Sequence, residues 1–139
     1  MTNVLIDTDV ILDFFFDRKP NSEYSAEVLS LCESNVIKGF ITPVILSNIY
    51  YLLRKTSTHE RVIEKLSLLI SITEVLVIDK TSVKQALSSN FKDFEDALQN
   101  FAAESNGSID LILTRNLKDF KNSSLGVMTP ENYLRVLTC

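Results

Sequence analysis

The sequence predicts an α/β fold: a three-layer α/β/α domain with a central, mostly parallel sheet of four to five strands. Short apolar runs of strand-forming residues recur along the chain, and helical spacing of apolar residues follows them. The first of these runs, Val4-Leu5-Ile6, stops abruptly on the carboxylates of Asp7 and Asp9. Such a run is typical of a buried strand of a parallel sheet, where ligands bind beyond the carboxyl ends of the strands.

Length and composition predict one globular domain that spans residues 1–139. Hydrophobic residues make up 45% of the chain and charged residues 23%, and the few glycines and prolines argue against disordered arms. The net charge of −4 argues against a protein that coats nucleic acid by positive charge alone. With neither a leader pattern nor an unbroken apolar span, we expect a cytoplasmic protein with no membrane association. Cys32 and Cys139 are expected to be free thiols there.

In the first half of the chain, cap residues and apolar spacing predict four helices and a second strand. In chain order these are a helix at 10–16, a helix from 21 to about 35, a strand at 39–42, a helix at 44–55 and a helix at 58–70. Asn21 and Ser22 supply cap chemistry for the second helix. Thr42 and Pro43 start the third, because the hydroxyl caps it and proline is tolerated at the first helical position.

The second half is predicted to alternate strands and helices in the same way. The elements are a strand at 75–78, a helix from 81 through 87, a helix from 93 through 103, a strand at 109–113, a short strand at 126–128 and a C-terminal helix from 129. Thr129 and Pro130 repeat the start seen at Thr42. The alternation implies parallel strands joined by right-handed crossovers, with helices on both faces of the sheet.

Polar residues that follow different strands meet at one edge of the predicted sheet, because parallel strands all end on the same side. They are Asp7 and Asp9 after the first strand, Asn48 near the start of the helix after the second, Asp93 and Asp96 at a helix start, and Thr114, Asn116 and Asp119 after the fourth. Converging carboxylates repel one another, and a hard divalent cation removes this repulsion. Oxygen ligands without His or Cys favour Mg²⁺ or Mn²⁺, ions that can activate water and stabilise charge on a phosphodiester.

Six short motifs occur in order along nearly the whole chain. They are VLIDTDVILD at 4–13, SNIYYLLRK at 47–55, DFEDALQ at 93–99, DLILTRN at 110–116, KDF at 118–120 and TPE at 129–131. In this order and spacing they resemble the motifs of the PIN-domain family, of the kind found in VapC-type toxin ribonucleases. The resemblance implies a PIN fold.

The resemblance also implies four acidic positions that bind a divalent metal and cut RNA. Asp7 matches the first position and Asp96 the third, whereas Asn48 stands at the second, usually a Glu, and Asn116 at the fourth. These four are the expected catalytic residues. An amide oxygen can coordinate a hard cation but brings no charge, which lowers the expected metal affinity. The implied metal ligands are Asp7 and Asp96, supplemented by Asp93 and Asp119.

Other side chains near the predicted site have both a functional and a structural interpretation. Arg115 and Lys118 belong to a basic cluster, and we expect them to bind RNA phosphates. Asp9 and Asp93 suit helix caps as well as a metal site. Asn116 also suits the turn that follows the fourth strand.

Three functions follow from these patterns. The leading one is a metal-dependent endoribonuclease of the PIN type, the toxin of a toxin–antitoxin pair, with RNA, a cognate antitoxin and a second copy of the chain as partners. The alternative is a catalytically weakened module that binds RNA or a protein partner without cutting, which the two amides favour. A third is an aspartate-based phosphatase that uses Asp7 and Asp9 and requires a later lysine, for which only Lys80 is suitable.

The aromatic run 14–16 is expected to be core or, where exposed, a surface for a homodimer or an antitoxin.

Overall fold

A five-stranded parallel sheet organises the fold of residues 1–138, the part of the chain that the computed structural model describes. The strands are β1 (Thr2–Ile6), β2 (Ile37–Ile41), β3 (Thr73–Val75), β4 (Leu111–Leu113) and β5 (Gly126–Met128). Their order across the sheet is β3-β2-β1-β4-β5, and every neighbouring pair is parallel. The predicted α/β fold with a parallel sheet is confirmed.

The central strand, β1, is covered on both faces. Val4, Leu5 and Ile6 are fully buried. Because successive strand residues point to opposite faces, burial of all three means that packed side chains cover the sheet above and below. This explains why the first strand reads as an unbroken apolar run rather than as an alternating pattern.

Seven helices accompany these strands within residues 1–138. They are α1 (Thr8–Phe15), α2 (Asn21–Glu33), α3 (Pro43–Leu53), α4 (His59–Ser71), α5 (Lys80–Leu87), α6 (Phe94–Asn106) and α7 (Pro130–Thr138). The predicted start of α3 is confirmed, because the Thr42 hydroxyl accepts a hydrogen bond from the N–H of Ile45 at 3.1 Å and Pro43 is the first helical residue. None of the described helices combines the length and apolarity needed to cross a membrane.

Three of the predicted strands begin at other residues than the sequence predicts. β2 covers 37–41 rather than 39–42. β3 covers 73–75 rather than 75–78, because its pairing with β2 ends where β2 ends. The N–H of Leu76 donates to the carbonyl of Ile41 at 2.7 Å, and Val77, one residue on, is 77% exposed. β4 begins at 111 rather than 109, because the side chain of Asp110 accepts the N–H of Asn3 at 2.7 Å. A continuing strand would bond that N–H through its backbone.

The helical segments that follow β1 and β4 also differ from the prediction. α1 begins at Thr8, two residues before the predicted start, because Asp7 caps it. A 3₁₀ turn at Leu117–Phe120, which the sequence did not predict, follows β4. This turn holds Asp119 at the same edge of the sheet as Asp7.

Two other expectations concern residues away from that edge. Cys32 is buried and has a free thiol, as predicted, whereas Cys139 lies outside the described residues. Within the aromatic run, Phe14 is 40% exposed, and Phe15 and Phe16 pack partly buried against the core. The run is therefore partly core and partly surface.

Candidate active site

A cavity of about 430 Å³ opens at the carboxyl ends of β1 and β4. Among its described lining residues are six acids, three side-chain amides and one guanidinium. The acids are Asp7, Asp9, Asp93, Glu95, Asp96 and Asp119, the amides are Asn48, Gln99 and Asn116, and the cation is Arg18. All six residues that the sequence assigns to catalysis or metal binding therefore line one space.

Asp7 is held rigidly at the end of β1. It is 5% exposed, its Oδ1 accepts the N–H of Thr8 at 2.8 Å, and its Oδ2 accepts the Thr114 hydroxyl at 2.8 Å. Burial raises the pKa of Asp7 to about 7, and the charge of Asp9 adds to this rise, whereas the hydrogen bonds from Thr114 and Thr8 oppose it. The hydrogen bonds thus fix the orientation of the Asp7 carboxyl, whereas burial disfavours its charged form.

Asp96 lies across the cavity, in the first turn of α6. Its backbone N–H donates to the cap residue Asp93 at 3.0 Å, and within residues 1–138 its carboxylate accepts no hydrogen bond. Burial raises the pKa of Asp96 to about 8, with further contributions from the charges of Asp7, Asp93 and Asp119. Because the charge of Asp7 helps to raise the pKa of Asp96, the two carboxylates are close enough to repel each other across the cavity.

Asn48 connects α3 to α6 across the cavity. Its Nδ2 donates to Oε2 of Glu95 at 2.8 Å. Glu95 was given no role from the sequence. Its place beside Asp96 in the motif DFED was the one signal that could have marked it.

Three residues that line the cavity carry a buried oxygen without a hydrogen-bond partner among the described residues. The oxygens are Oγ1 of Thr8, Oδ1 of Asp9 and Oε1 of Gln99, and Gln99 is only 2% exposed. The other oxygen of Asp9 accepts the N–H of Arg115 at 3.0 Å, so Asp9 braces the end of β4 and does not cap α1. Unpaired buried oxygens are rare, and here they mark a space suited to a donor or a cation.

Arg115 does not line this cavity. Its Nε donates to Oδ2 of the fully buried Asp13 at 2.5 Å and its Nη2 to Oδ1 at 3.0 Å. This bidentate pair fastens the end of β4 to α1 and occupies much of the guanidinium. Arg18 contributes a second, longer ion pair to Asp13 at 3.6 Å.

Lys118 lines an adjoining cavity of about 450 Å³ that shares Asp93 and Asp119 with the first. Lys92 and Lys121 line the same space, so three ammonium groups stand beside the acidic cavity. Lys80, which the phosphatase hypothesis requires, begins α5 and lines neither cavity. The phosphatase hypothesis therefore lacks its lysine.

The donors around the acidic cavity fit a hard divalent cation. They are carboxylate and amide oxygens, with no imidazole or sulfur among the described lining residues, which is the chemistry that Mg²⁺ and Mn²⁺ prefer. Within residues 1–138 no three acidic, His or Cys side chains already form a closed metal site. The charges of neighbouring carboxylates add to the rise that burial causes in the pKa of Asp7 and Asp96, and a bound cation would offset this repulsion.

Comparisons of the sequence identify a family and a relative. A family model described as a PIN domain matches residues 3–118. Ribonuclease VapC1 of Aquifex aeolicus (strain VF5) is 29% identical over 135 residues, which are 94% of this chain and 92% of that protein.

Solved structures of similar fold include a VapBC structure and a toxin–antitoxin complex. A DNA-bound VapBC structure from Salmonella typhimurium superposes with a TM-score of 0.71 at 19% identity, covering 94% of this chain and 99% of that chain. A toxin–antitoxin complex from Klebsiella pneumoniae gives a TM-score of 0.68 at 20% identity, with 91% and 97% covered. At these identities the likeness shows the fold alone.

Proposed function

The chain belongs to the PIN-domain family, and from this premise we propose that it is a divalent-metal-dependent endoribonuclease, the toxin of a toxin–antitoxin pair. The observation that carries the proposal is the convergence of Asp7 and Asp96 on one cavity lined by six carboxylates. The 29% identity to a ribonuclease over nearly the whole chain supports the choice of RNA as substrate.

In this proposal Asp7 and Asp96 hold Mg²⁺ or Mn²⁺, and Asp93 and Asp119 add oxygens around them. The chemistry that a cation held by these residues would supply is Lewis-acid activation of water and of the phosphodiester. Asn48 and Asn116 complete the catalytic set by orienting neighbouring groups through their amides. Lys118 and Arg115 are proposed to contact RNA phosphates, and this role stays a prediction for both.

The surrounding residues keep Asp7 ready for this role. The Thr114 hydroxyl and the N–H of Thr8 each donate to a different oxygen of Asp7, so its carboxylate plane is fixed before any ligand arrives. Both hydrogen bonds also favour the charged form of Asp7 against the effect of burial. A carboxylate that is already oriented binds a cation without a further ordering cost.

Incubation of the purified protein with labelled single-stranded RNA and Mg²⁺ or Mn²⁺ tests the proposal. We expect cleavage that a chelator stops and that Asp7→Asn or Asp96→Asn lowers by about a hundredfold or more. Glu64→Gln, on the exposed face of α4, is the matched control and should cleave as the unaltered protein does. Cleavage by Asp96→Asn at the control rate would refute the assignment.

A second function is favoured by the amides at Asn48 and Asn116. With two uncharged groups at positions where the family carries acids, the domain would hold RNA or a protein without cutting it. Calorimetry separates the two functions. RNA binding without any heat from millimolar Mg²⁺ or Mn²⁺, and without cleavage, would support the non-cutting module.

A cognate antitoxin and a homodimer are the protein partners that we propose. The support is the fold that this chain shares with structures of VapBC and toxin–antitoxin complexes. Co-expression with a short open reading frame adjacent to the gene should yield a complex that co-purifies and cannot cleave RNA. Sedimentation of the isolated chain should give the mass of two copies, and a monomeric mass would contradict the homodimer.

A further inference from the structure

A carboxylate from α6 is hydrogen-bonded to the amide that stands at the family's second acidic position. We propose that Glu95 supplies the carboxylate that position 48 lacks, and that Asn48 is the positioning residue that holds Glu95 toward the metal. The inference rests on the proposed function, since it adds a ligand-supplying residue to the same site. In this proposal the site keeps its negative charge despite the asparagine at position 48, because Glu95 supplies the carboxylate from α6 instead of α3.

The hydrogen bond between α3 and α6 is the first support. Nδ2 of Asn48 lies 2.8 Å from Oε2 of Glu95, and both residues line the acidic cavity. A glutamate at the second position of a helix normally extends into water, where it offsets the helix dipole. Glu95 is exposed, but one of its oxygens is tied to Asn48 across the cavity, and its other oxygen accepts no hydrogen bond from residues 1–138.

Gln99 is the second and independent support. It follows Glu95 by four residues and Asp96 by three, so the three side chains share one face of α6. Gln99 is 2% exposed, and its Oε1 lines the cavity without a partner among the described residues. A buried amide oxygen is costly unless something donates to it. A hard cation or a water bound to it would satisfy this oxygen in the space that Glu95 faces.

Electrostatics explains why an amide suits position 48. A glutamate there would bring a second carboxylate against Glu95, in a cavity that already holds five further acids. Like charges at hydrogen-bond distance repel one another even at an exposed pair such as this one. Asparagine replaces this repulsion by an N–H donor, so the charge of Glu95 is kept and its direction is fixed.

The test measures Mn²⁺ affinity by calorimetry in the full chain, with RNA cleavage as a second readout. Glu95→Gln should weaken Mn²⁺ binding by about tenfold or more, and Asn48→Ala should weaken it to a smaller extent. Glu60→Gln is the matched control, because Glu60 is the second residue of α4, as Glu95 is of α6, and lies outside the cavity. Its Mn²⁺ affinity should stay unchanged.

An exchange of the two groups is the decisive variant. Asn48→Glu combined with Glu95→Gln returns the acid to α3 and leaves an amide on α6, so Mn²⁺ affinity should recover to within about threefold of the unaltered protein. Wild-type Mn²⁺ affinity in Glu95→Gln, beside its loss in Asp96→Asn, would overturn the role of Glu95 and leave the proposed function standing. Absence of Mn²⁺ binding in the unaltered protein would overturn both.

Discussion

At the scale of single residues, Asp7 and Asp96 dominate because the fold holds both carboxyls where their charge is disfavoured. Burial raises the pKa of Asp7 to about 7 and that of Asp96 to about 8, from an ordinary value of 3.8. The folded chain therefore binds these two protons more tightly than the unfolded chain does. Their contribution to stability is complete below about pH 4 and is lost as the pH rises through the folded pKa values.

We expect the metal-free protein to lose stability as the pH rises from about 4 to about 8. Unfolding by urea in the presence of a chelator, followed by circular dichroism at several pH values, measures this loss. Asp96→Asn should reduce the pH dependence, because an amide has no proton to lose. A stability that is flat or rises over this range in the unaltered protein would contradict the raised pKa values.

Thr114→Val tests the hydrogen bond that orients Asp7. The substitution keeps the shape of the side chain but removes the hydroxyl that donates to Oδ2 of Asp7 at 2.8 Å. We expect Mn²⁺ affinity and RNA cleavage to fall by about tenfold, because the groups that orient a ligand tune its metal affinity.

Thr73→Val is the control for Thr114→Val. Thr73 is also buried, and its hydroxyl donates to the carbonyl of Leu69 at 2.8 Å, away from the cavity. Each variant should lose about 1 kcal/mol of stability, but only Thr114→Val should lose metal affinity. Equal Mn²⁺ affinity in Thr114→Val and Thr73→Val would show that the Thr114 hydroxyl does not contribute to metal binding.

Sequence reasoning brought the six predicted residues to one edge of the sheet but missed Glu95 and Gln99 and the pairings between side chains. Parallel topology alone brings residues that follow different strands to one edge, and this is why the acids and amides were grouped correctly. The bond from Asn48 to Glu95 and the ion pair from Arg115 to Asp13 depend on rotamers and on the rotation of each helix. Neither rotamers nor helix rotations can be read from residue spacing.

At the scale of secondary structure, α6 is the element that presents the site. Asp93 caps it, Asp96 follows in the first turn, and Gln99 lies one turn further on the same face. A helix end that is fixed by its cap holds these side chains in constant geometry. The cap therefore contributes both to stability and to the order of the site.

Substitutions at Asp93 separate these two contributions. Asp93→Ala should lower stability by about 1 kcal/mol, because it removes the acceptor for the N–H of Asp96, whereas Asp93→Asn keeps an acceptor and should change stability little. Mn²⁺ affinity should fall in both variants if the charge of Asp93 serves the metal. Urea unfolding and calorimetry measure the two effects.

Asp79→Ala is the matched control for Asp93→Ala. Asp79 caps α5, where its Oδ1 accepts the N–H of Ser82 at 2.9 Å, and it does not line the cavity. This variant should lose stability but keep its Mn²⁺ affinity. Equal destabilisation by Asp93→Ala and Asp93→Asn would show that the cap hydrogen bond is not what stabilises α6.

Helix starts followed from the sequence better than strand limits did. Capping at Thr42 and Thr58 is local chemistry, so the starts of α3 and α4 were predicted to within a residue. β3 and β4 depend on the register with their neighbours, and the edge strand β3 was placed two residues late. The 3₁₀ turn at Leu117–Phe120 has no periodic pattern that could reveal it.

At the scale of the whole molecule, the fold places acidic and basic side chains in separate cavities, a separation that the net charge of −4 does not reveal. Acids line the cavity at the ends of β1 and β4, and three lysines line the adjoining one. A nucleic acid bound here would meet few cations, so its affinity should depend only moderately on salt. The parallel strand order creates this arrangement, because it brings both cavities to one edge of the sheet.

Diffraction from crystals grown with Mn²⁺ tests most directly whether Asp7 and Asp96 hold one divalent cation. The anomalous signal of manganese should give a peak in the acidic cavity, within about 2.5 Å of a carboxylate oxygen of each residue. The peak should disappear in crystals of Asp96→Asn. At saturating Mn²⁺, no peak in the unaltered protein, or a peak outside this cavity, would contradict a metal-dependent site.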